Sequence, residues 1–169
     1  MSTPPDGPTP LGLLRQTGFG AFFWTQFSGA ANDNLFKFAL TVLVTYQLQV
    51  AWLPAGLAGL VIGGLFILPY VLFSAACGQW CDRTDMALMM RRVKNLEIAI
   101  MLLAAAGFLL EQVDVLLLCI FLMGTHSTLF GPVKYAYLPR ALGPKQLVSG
   151  NGWVEMGTFV AILLGNMVG

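Results

Sequence analysis

Charged side chains are scarce in this sequence: Asp, Glu, Lys and Arg together make up 10% of its 169 residues. Soluble domains carry about 25%, so too few charges are available to clothe a water-facing surface. Formal net charge is only +1, which gives no basic field for nucleic acid. Histidine occurs once, as His126, and cysteine three times, as Cys77, Cys81 and Cys119. An odd number of thiols set among apolar residues makes no disulfide framework. Cys77 and Cys81 share helical spacing but have no further Cys or His nearby to complete a zinc site, and no cofactor is implied. Nor does the chain hold a Ser–His–Asp or Cys–His grouping. A membrane-bound acyltransferase of the His-x-x-x-x-Asp type fails at the same point, because the position matching the Asp after His126 is Gly131.

What the sequence has instead is hydrophobicity. Apolar residues make up 57% of it, mean hydropathy is +0.74, and the few charges fall in clusters between long uncharged runs. Runs of 18 or more such residues are candidate bilayer spans. The pattern predicts an all-α, polytopic transmembrane bundle of five spans, at about residues 19–48, 55–80, 86–110, 115–138 and 146–169. Residues 1–17, Pro-rich and polar at the start, are expected to form a disordered cytoplasmic tail. A cleaved signal peptide is not expected, since the apolar stretch after Arg15 is far longer than a signal core.

Loop charge sets the orientation. The connections around 47–54 and 111–114 contain no Lys or Arg, whereas the opposite side carries Arg15, then Arg83, Arg91, Arg92 and Lys94, then Arg140 and Lys145. The positive-inside rule places the N-terminus and both basic loops in the cytoplasm. Within the spans, Gly59-x-x-x-Gly63 and Gly165-x-x-x-Gly169 offer small surfaces on which helix backbones approach closely.

The polar residues inside these spans are the candidate site. Asp33 and Lys37 each cost about 2.5–3.5 kcal/mol at a helix centre. Four residues apart, they share a face on which they can neutralise each other. Gln26 falls on that face and Asn32 and Asn34 flank it, so the first helix carries a polar seam opposite an apolar back that includes Leu35 and Val42. An internal ion pair that only holds the helix in register is one reading. A seam lining a water-accessible cavity, in contact with substrate or a coupling ion, is the favoured one, because intramembrane ionisable residues mark function by default. The fifth span repeats the pattern with Asn151, Glu155 and Thr158 on one face; Glu155 is expected well inside, where desolvation favours the neutral acid. In the fourth span Gly131-Pro132 interrupts the helix hydrogen bonding, and the adjacent Lys134 either faces a cavity or snorkels to the cytoplasmic surface. His126, among Thr125, Ser127 and Thr128, is expected to be a hydrogen-bonded bundle histidine rather than a ligand.

Between the second and third spans, Gly78-x-x-x-Asp82-Arg83 resembles the signature loop of the major facilitator superfamily. Three further stretches resemble, more specifically, the lysophospholipid transporter family, in the form whose transporter region is fused to acyltransferase and acyl carrier protein ligase domains. They are Gln26-Phe-Ser-Gly-Ala-Ala-Asn-Asp-Asn-Leu-Phe-Lys37, Gly131-Pro-Val-Lys-Tyr135, and Gly150-Asn-Gly-Trp-Val-Glu155 followed by Gly157-Thr-Phe. The resemblance implies two six-helix halves, alternating access, and flipping of lysophospholipid across the bacterial inner membrane for reacylation. By that resemblance Asp33 and Asn34 face the head group, Lys134 and Asn151 are further cavity contacts, and Asp82 with Arg83 latches one conformational state. Thr84 and Asp85 stand where the superfamily loop has a Gly and basic residues, the basic pair here being Arg91 and Arg92. A further expectation is that the chain ends within the fifth helix, so that its partners include the remaining helices of a full transporter, membrane lipid, the lysophospholipid and a coupling proton or sodium ion. A proton- or sodium-coupled exporter of amphipathic drugs is the alternative, since Phe22, Phe23 and Trp24 beside the charged seam also suit a cationic amphiphile. A non-transporting membrane fragment is the other.

Overall fold

The computed structural model describes residues 10–48, 50 and 52–169. The protein is all-α, as its composition predicts, with no strand among the described residues. A short helix α1 (Pro10–Leu14) precedes five long ones: α2 (Thr17–Val42), α3 (Ala55–Arg83), α4 (Met86–Leu109), α5 (Val113–Ala141) and α6 (Leu147–Val168). A π-helical turn, Leu43–Gln47, extends α2. The expected disordered tail falls outside the described residues up to residue 9. From Pro10 the chain is helical instead, and Leu13 is fully buried. Burying an apolar side chain there offsets the ordering cost of a short helix that would not persist alone.

By length and composition α3, α5 and α6 are apolar enough to cross a membrane. Helices α2 and α4, of 26 and 24 residues, reach roughly 36–39 Å at 1.5 Å per residue. Polar side chains, the amides Gln26, Asn32 and Asn34 with Asp33 and Lys37 in α2, and the run Arg91 to Glu97 in α4, make these two helices less apolar than the other three.

The link between α3 and α4 is shorter than the sequence suggests. Helix α3 continues past Trp80 to Arg83, so Gly78, Asp82 and Arg83 are helical rather than in a loop. Only Thr84 and Asp85 separate the helices. Asp85 caps α4, its carboxylate accepting from the Leu88 backbone N–H at 3.0 Å, which satisfies one of the donors a helix start leaves open. Asp85 therefore has a local structural job. At the other end of α4, Gln112 donates to Gly107 and Glu111 to Phe108, with Glu111 at φ 52°. This is the left-handed closing turn that usually takes glycine.

The chain divides into two compact units, with the division falling inside α2 and α5. In the first, Phe19, Phe22 and Phe23 of α2 are buried with Leu138 and Leu142. Phe22 stacks on Tyr137 at 4.8 Å, and the Tyr137 hydroxyl donates to the Gly18 carbonyl at 3.1 Å. Helix α6 turns its small residues inward, burying Gly150, Val154, Gly157, Ala161 and Gly165. A side chain at Gly165 would meet the Ala31 carbonyl at 2.6 Å, and one at Gly169 the Leu35 carbonyl at 2.6 Å, so α6 rests on the α2 backbone. The other glycine pair does not act this way: Gly59 has only an ordinary contact with Thr41, and nothing lies within 4 Å of a side chain at Gly63.

The second unit packs the end of α2 with α3, α4 and α5 around Phe36, Leu40, Ile62, Ile100, Leu116, Ile120 and Met123. Its close crossing is made by Gly124 of α5 against Phe66 and Pro69 of α3. A proline inside α3 removes a backbone hydrogen bond, and Gly124 lets α5 come up to that region without a side chain in between.

Candidate functional site

In the first unit the two polar faces anticipated on α2 and α6 meet. Gln26 Nε2 donates to Thr158 Oγ1 at 3.2 Å, while the Thr158 hydroxyl donates to its own Val154 carbonyl at 2.8 Å. A hydroxyl donates once and accepts twice, so Thr158 closes its own turn and still receives the neighbouring helix. The inward glycine stripe of α6 makes this possible, because it brings the helix close enough for a side chain as short as threonine to be reached.

Around that bond the other candidates take different positions. Asp33 and Asn34 are half-buried on α2. Asn34 turns its amide back on its own helix, donating to the Ala30 carbonyl at 2.8 Å, and its Cβ lies where α6 passes at Gly165. It therefore sits at the helix crossing. Asn151 is half-buried in the second turn of α6. Glu155, in the third turn of α6, is exposed. Residues advance roughly 100° each around a helix. With Gly150, Val154 and Gly157 facing inward, Glu155 is carried round to the outer side.

Lys37 and Lys134 belong to the second unit. The Lys37 ammonium lies 4.1 Å from the centre of the Phe66 ring. A cation over an aromatic face gains about 0.5–2 kcal/mol, more as water is removed. This is a partner on α3 that helix periodicity within α2 does not show. Lys134 is buried.

Asp82 and Arg83 are both exposed on the last turn of α3, and neither side chain makes an ion pair or hydrogen bond among the described residues. Among those residues no group of three His, Cys, Asp or Glu side chains is placed to hold a metal.

Glu97, inside a predicted span, is not among the residues anticipated from sequence. Glu97 of α4 lies 2.6 Å from the Lys94 ammonium, with His126 Nε2 of α5 at 3.4 Å from the same oxygen. Lys94, taken from sequence as part of a basic cytoplasmic cluster, and His126, taken as a bundle histidine, are thus joined by an acid. The available signal was Lys94-x-x-Glu97, an i,i+3 pair within a predicted span.

No protein-family model matches the chain, and no solved structure matches it. Three curated proteins align with nearly all of it, each named lysophospholipid transporter LplT. That of Yersinia enterocolitica is 29% identical over 156 residues, 92% of this chain and 36% of the relative. That of Cronobacter sakazakii is 27% identical over 167 residues, 98% of this chain and 39% of the relative. A Klebsiella pneumoniae protein is 30% identical over 156 residues, again 92% of this chain and 36% of the relative. The chain thus spans well under half the length of the curated relatives it matches.

Proposed function

We propose that this chain works within a lysophospholipid transporter, with its α2–α6 polar seam facing the lipid head group. The observation that carries the reading is the hydrogen bond from Gln26 to Thr158. It joins two stretches that independently resemble the lysophospholipid transporter family, and it does so inside helices otherwise built for a membrane. The names of the aligned relatives support the same substrate class.

In this reading Asp33, Asn34 and Asn151 contact the head group, Gln26 holds the two helices in register, and Glu155 presents its carboxylate to further helices. Lys37 and Lys134 are separate candidates for the phosphate. The protein lies in the bacterial inner membrane with its N-terminus cytoplasmic, adopts the major facilitator arrangement, and exposes its cavity alternately to either side. Asp82 and Arg83 latch one of those states. Flipped lysophospholipid is then available for reacylation, and a proton or sodium ion drives the cycle.

The test is a comparison of lysophospholipid binding and thermal stability for the wild type, Asp33→Asn, and the pair Asp33→Leu with Lys37→Leu. Removing one member of a buried ion pair strands a charge at about 3–5 kcal/mol, whereas replacing both is often neutral. A head-group contact predicts that Asp33→Asn weakens binding about tenfold, or about 1.4 kcal/mol, with stability little changed. The double variant then folds but does not bind. Full binding by the folded double variant would leave only a structural ion pair.

A further inference from the structure

Lys94, Glu97 and His126 form a polar group that the transport reading does not use. Lys94 and Glu97 stand three apart on α4, hence on one face, and that face meets α5 at His126. The Lys94 side chain is 24% exposed, Glu97 12% and His126 3%. Both nitrogens approach the same carboxylate oxygen, Oε2: Lys94 Nζ at 2.6 Å and His126 Nε2 at 3.4 Å. The shorter is a full charge-assisted contact, and the longer exceeds a well-formed N–H···O bond. Phe130, one turn beyond His126, flanks both bases. Its ring stacks on the imidazole at 6.5 Å and lies 5.1 Å from the Lys94 ammonium.

The charge count makes this arrangement unstable to one proton. With the imidazole neutral, Lys94 and Glu97 cancel. Adding a proton to His126 puts two cations beside one acid in an apolar setting, where an unbalanced charge is costly. His126 Nδ1 is buried and has no hydrogen-bond partner among the described residues, so nothing fixes the ring tautomer and one nitrogen is open to a proton. Lys94 is the member that can leave, since its side chain is the most exposed of the three and a lysine stem can carry its charge to water.

Helix α3, which crosses α5 at Gly124, carries the buried thiols Cys77 and Cys81, while its Tyr70, Asp82 and Arg83 are exposed. The end of α2 contributes Lys37, which faces Phe66, and the exposed Tyr46. On α4 Arg91 and Arg92 are exposed, and on α5 Lys134 lies two turns beyond His126.

We propose that Glu97 and His126 form a proton-binding site in which protonation of His126 moves Glu97 from Lys94 to the imidazolium. The proton comes from water and enters the open imidazole nitrogen; no covalent bond between heavy atoms forms or breaks. The exchange has two discrete arrangements, Lys94–Glu97 within α4 or His126–Glu97 between α4 and α5, so one proton decides whether the carboxylate ties α4 to α5. A bistable contact biased by a histidine is the usual physical form of a pH-responsive element. The site is independent of what the protein transports.

The single histidine makes the test direct. The 169-residue chain, labelled with 15N-histidine and carrying no histidine tag, is placed in lipid nanodiscs and titrated between about pH 8 and 5. An imidazolium signal is expected to grow in over that window. At the wild-type midpoint it should fall roughly tenfold in Glu97→Gln, which removes its counter-charge, and rise in Lys94→Met, which removes its competitor. A second measurement uses the wild type alone: the 13C signal of reductively methylated Lys94 should move with the same midpoint as the imidazole. No imidazolium in the window, an unchanged signal in Glu97→Gln, or a Lys94 signal indifferent to His126 would each overturn the site. No lipid substrate enters the measurement, so its failure and that of the transport reading are told apart.

Discussion

The Gln26 amide reaches across from α2 to the Thr158 hydroxyl of α6 at 3.2 Å, and the contact ties the start of the chain to its last described helix. Interhelical hydrogen bonds of this kind average about 0.6 kcal/mol in a membrane, with about 1.7 as the upper end. A double-mutant cycle with Gln26→Leu and Thr158→Val should therefore give a coupling energy of about 0.5–1.5 kcal/mol in unfolding from micelles. Strictly additive single effects would show that the two side chains do not depend on each other.

Gly165 gives a second prediction, because its backbone contact leaves no room. Gly165→Ala places a methyl 2.6 Å from the Ala31 carbonyl, and a backbone atom yields less readily than the tip of a side chain. A loss of about 1–3 kcal/mol is expected from overpacking. Gly63→Ala, with nothing within 4 Å of the new carbon, should be neutral or slightly stabilising through its effect on the unfolded chain. Equal effects at both positions would contradict the assignment of α6 as the helix packed on backbone.

Orientation is open to a labelling experiment. In a background without Cys77, Cys81 and Cys119, single cysteines at Ala87 and Gln112 mark the two ends of α4. A membrane-impermeant thiol reagent applied to intact cells should modify Gln112→Cys and spare Ala87→Cys until the membrane is opened. The reverse pattern would overturn the cytoplasmic placement of the basic loops.

Much of the architecture was legible because membrane insertion reads composition directly. Long uncharged runs have to become helices, since hydrocarbon offers the backbone no other partner. The polar seam was legible for the same reason: Gln26, Asp33 and Asn34 stand out against apolar neighbours, and so do Asn151 and Thr158. Helix ends were less so. The run Gly78 to Arg83 reads as a loop because it is polar, yet Asp85 is the residue that starts the next helix, and α3 continues until that cap.

Composition and order of residues by themselves determined that this protein is a helical membrane bundle and which of its helices carry polar faces. Tertiary structure decided which faces touch. Two glycine pairs of identical spacing had different fates, with Gly165 and Gly169 against the α2 backbone and Gly59 and Gly63 left open, because close approach depends on the neighbour's path and not on the glycines alone. The same holds for Glu97. Its spacing from Lys94 is written in the sequence, but the approach of His126 from another helix is not. A charge pair within one helix follows from periodicity, whereas a third partner depends on how two helices pack.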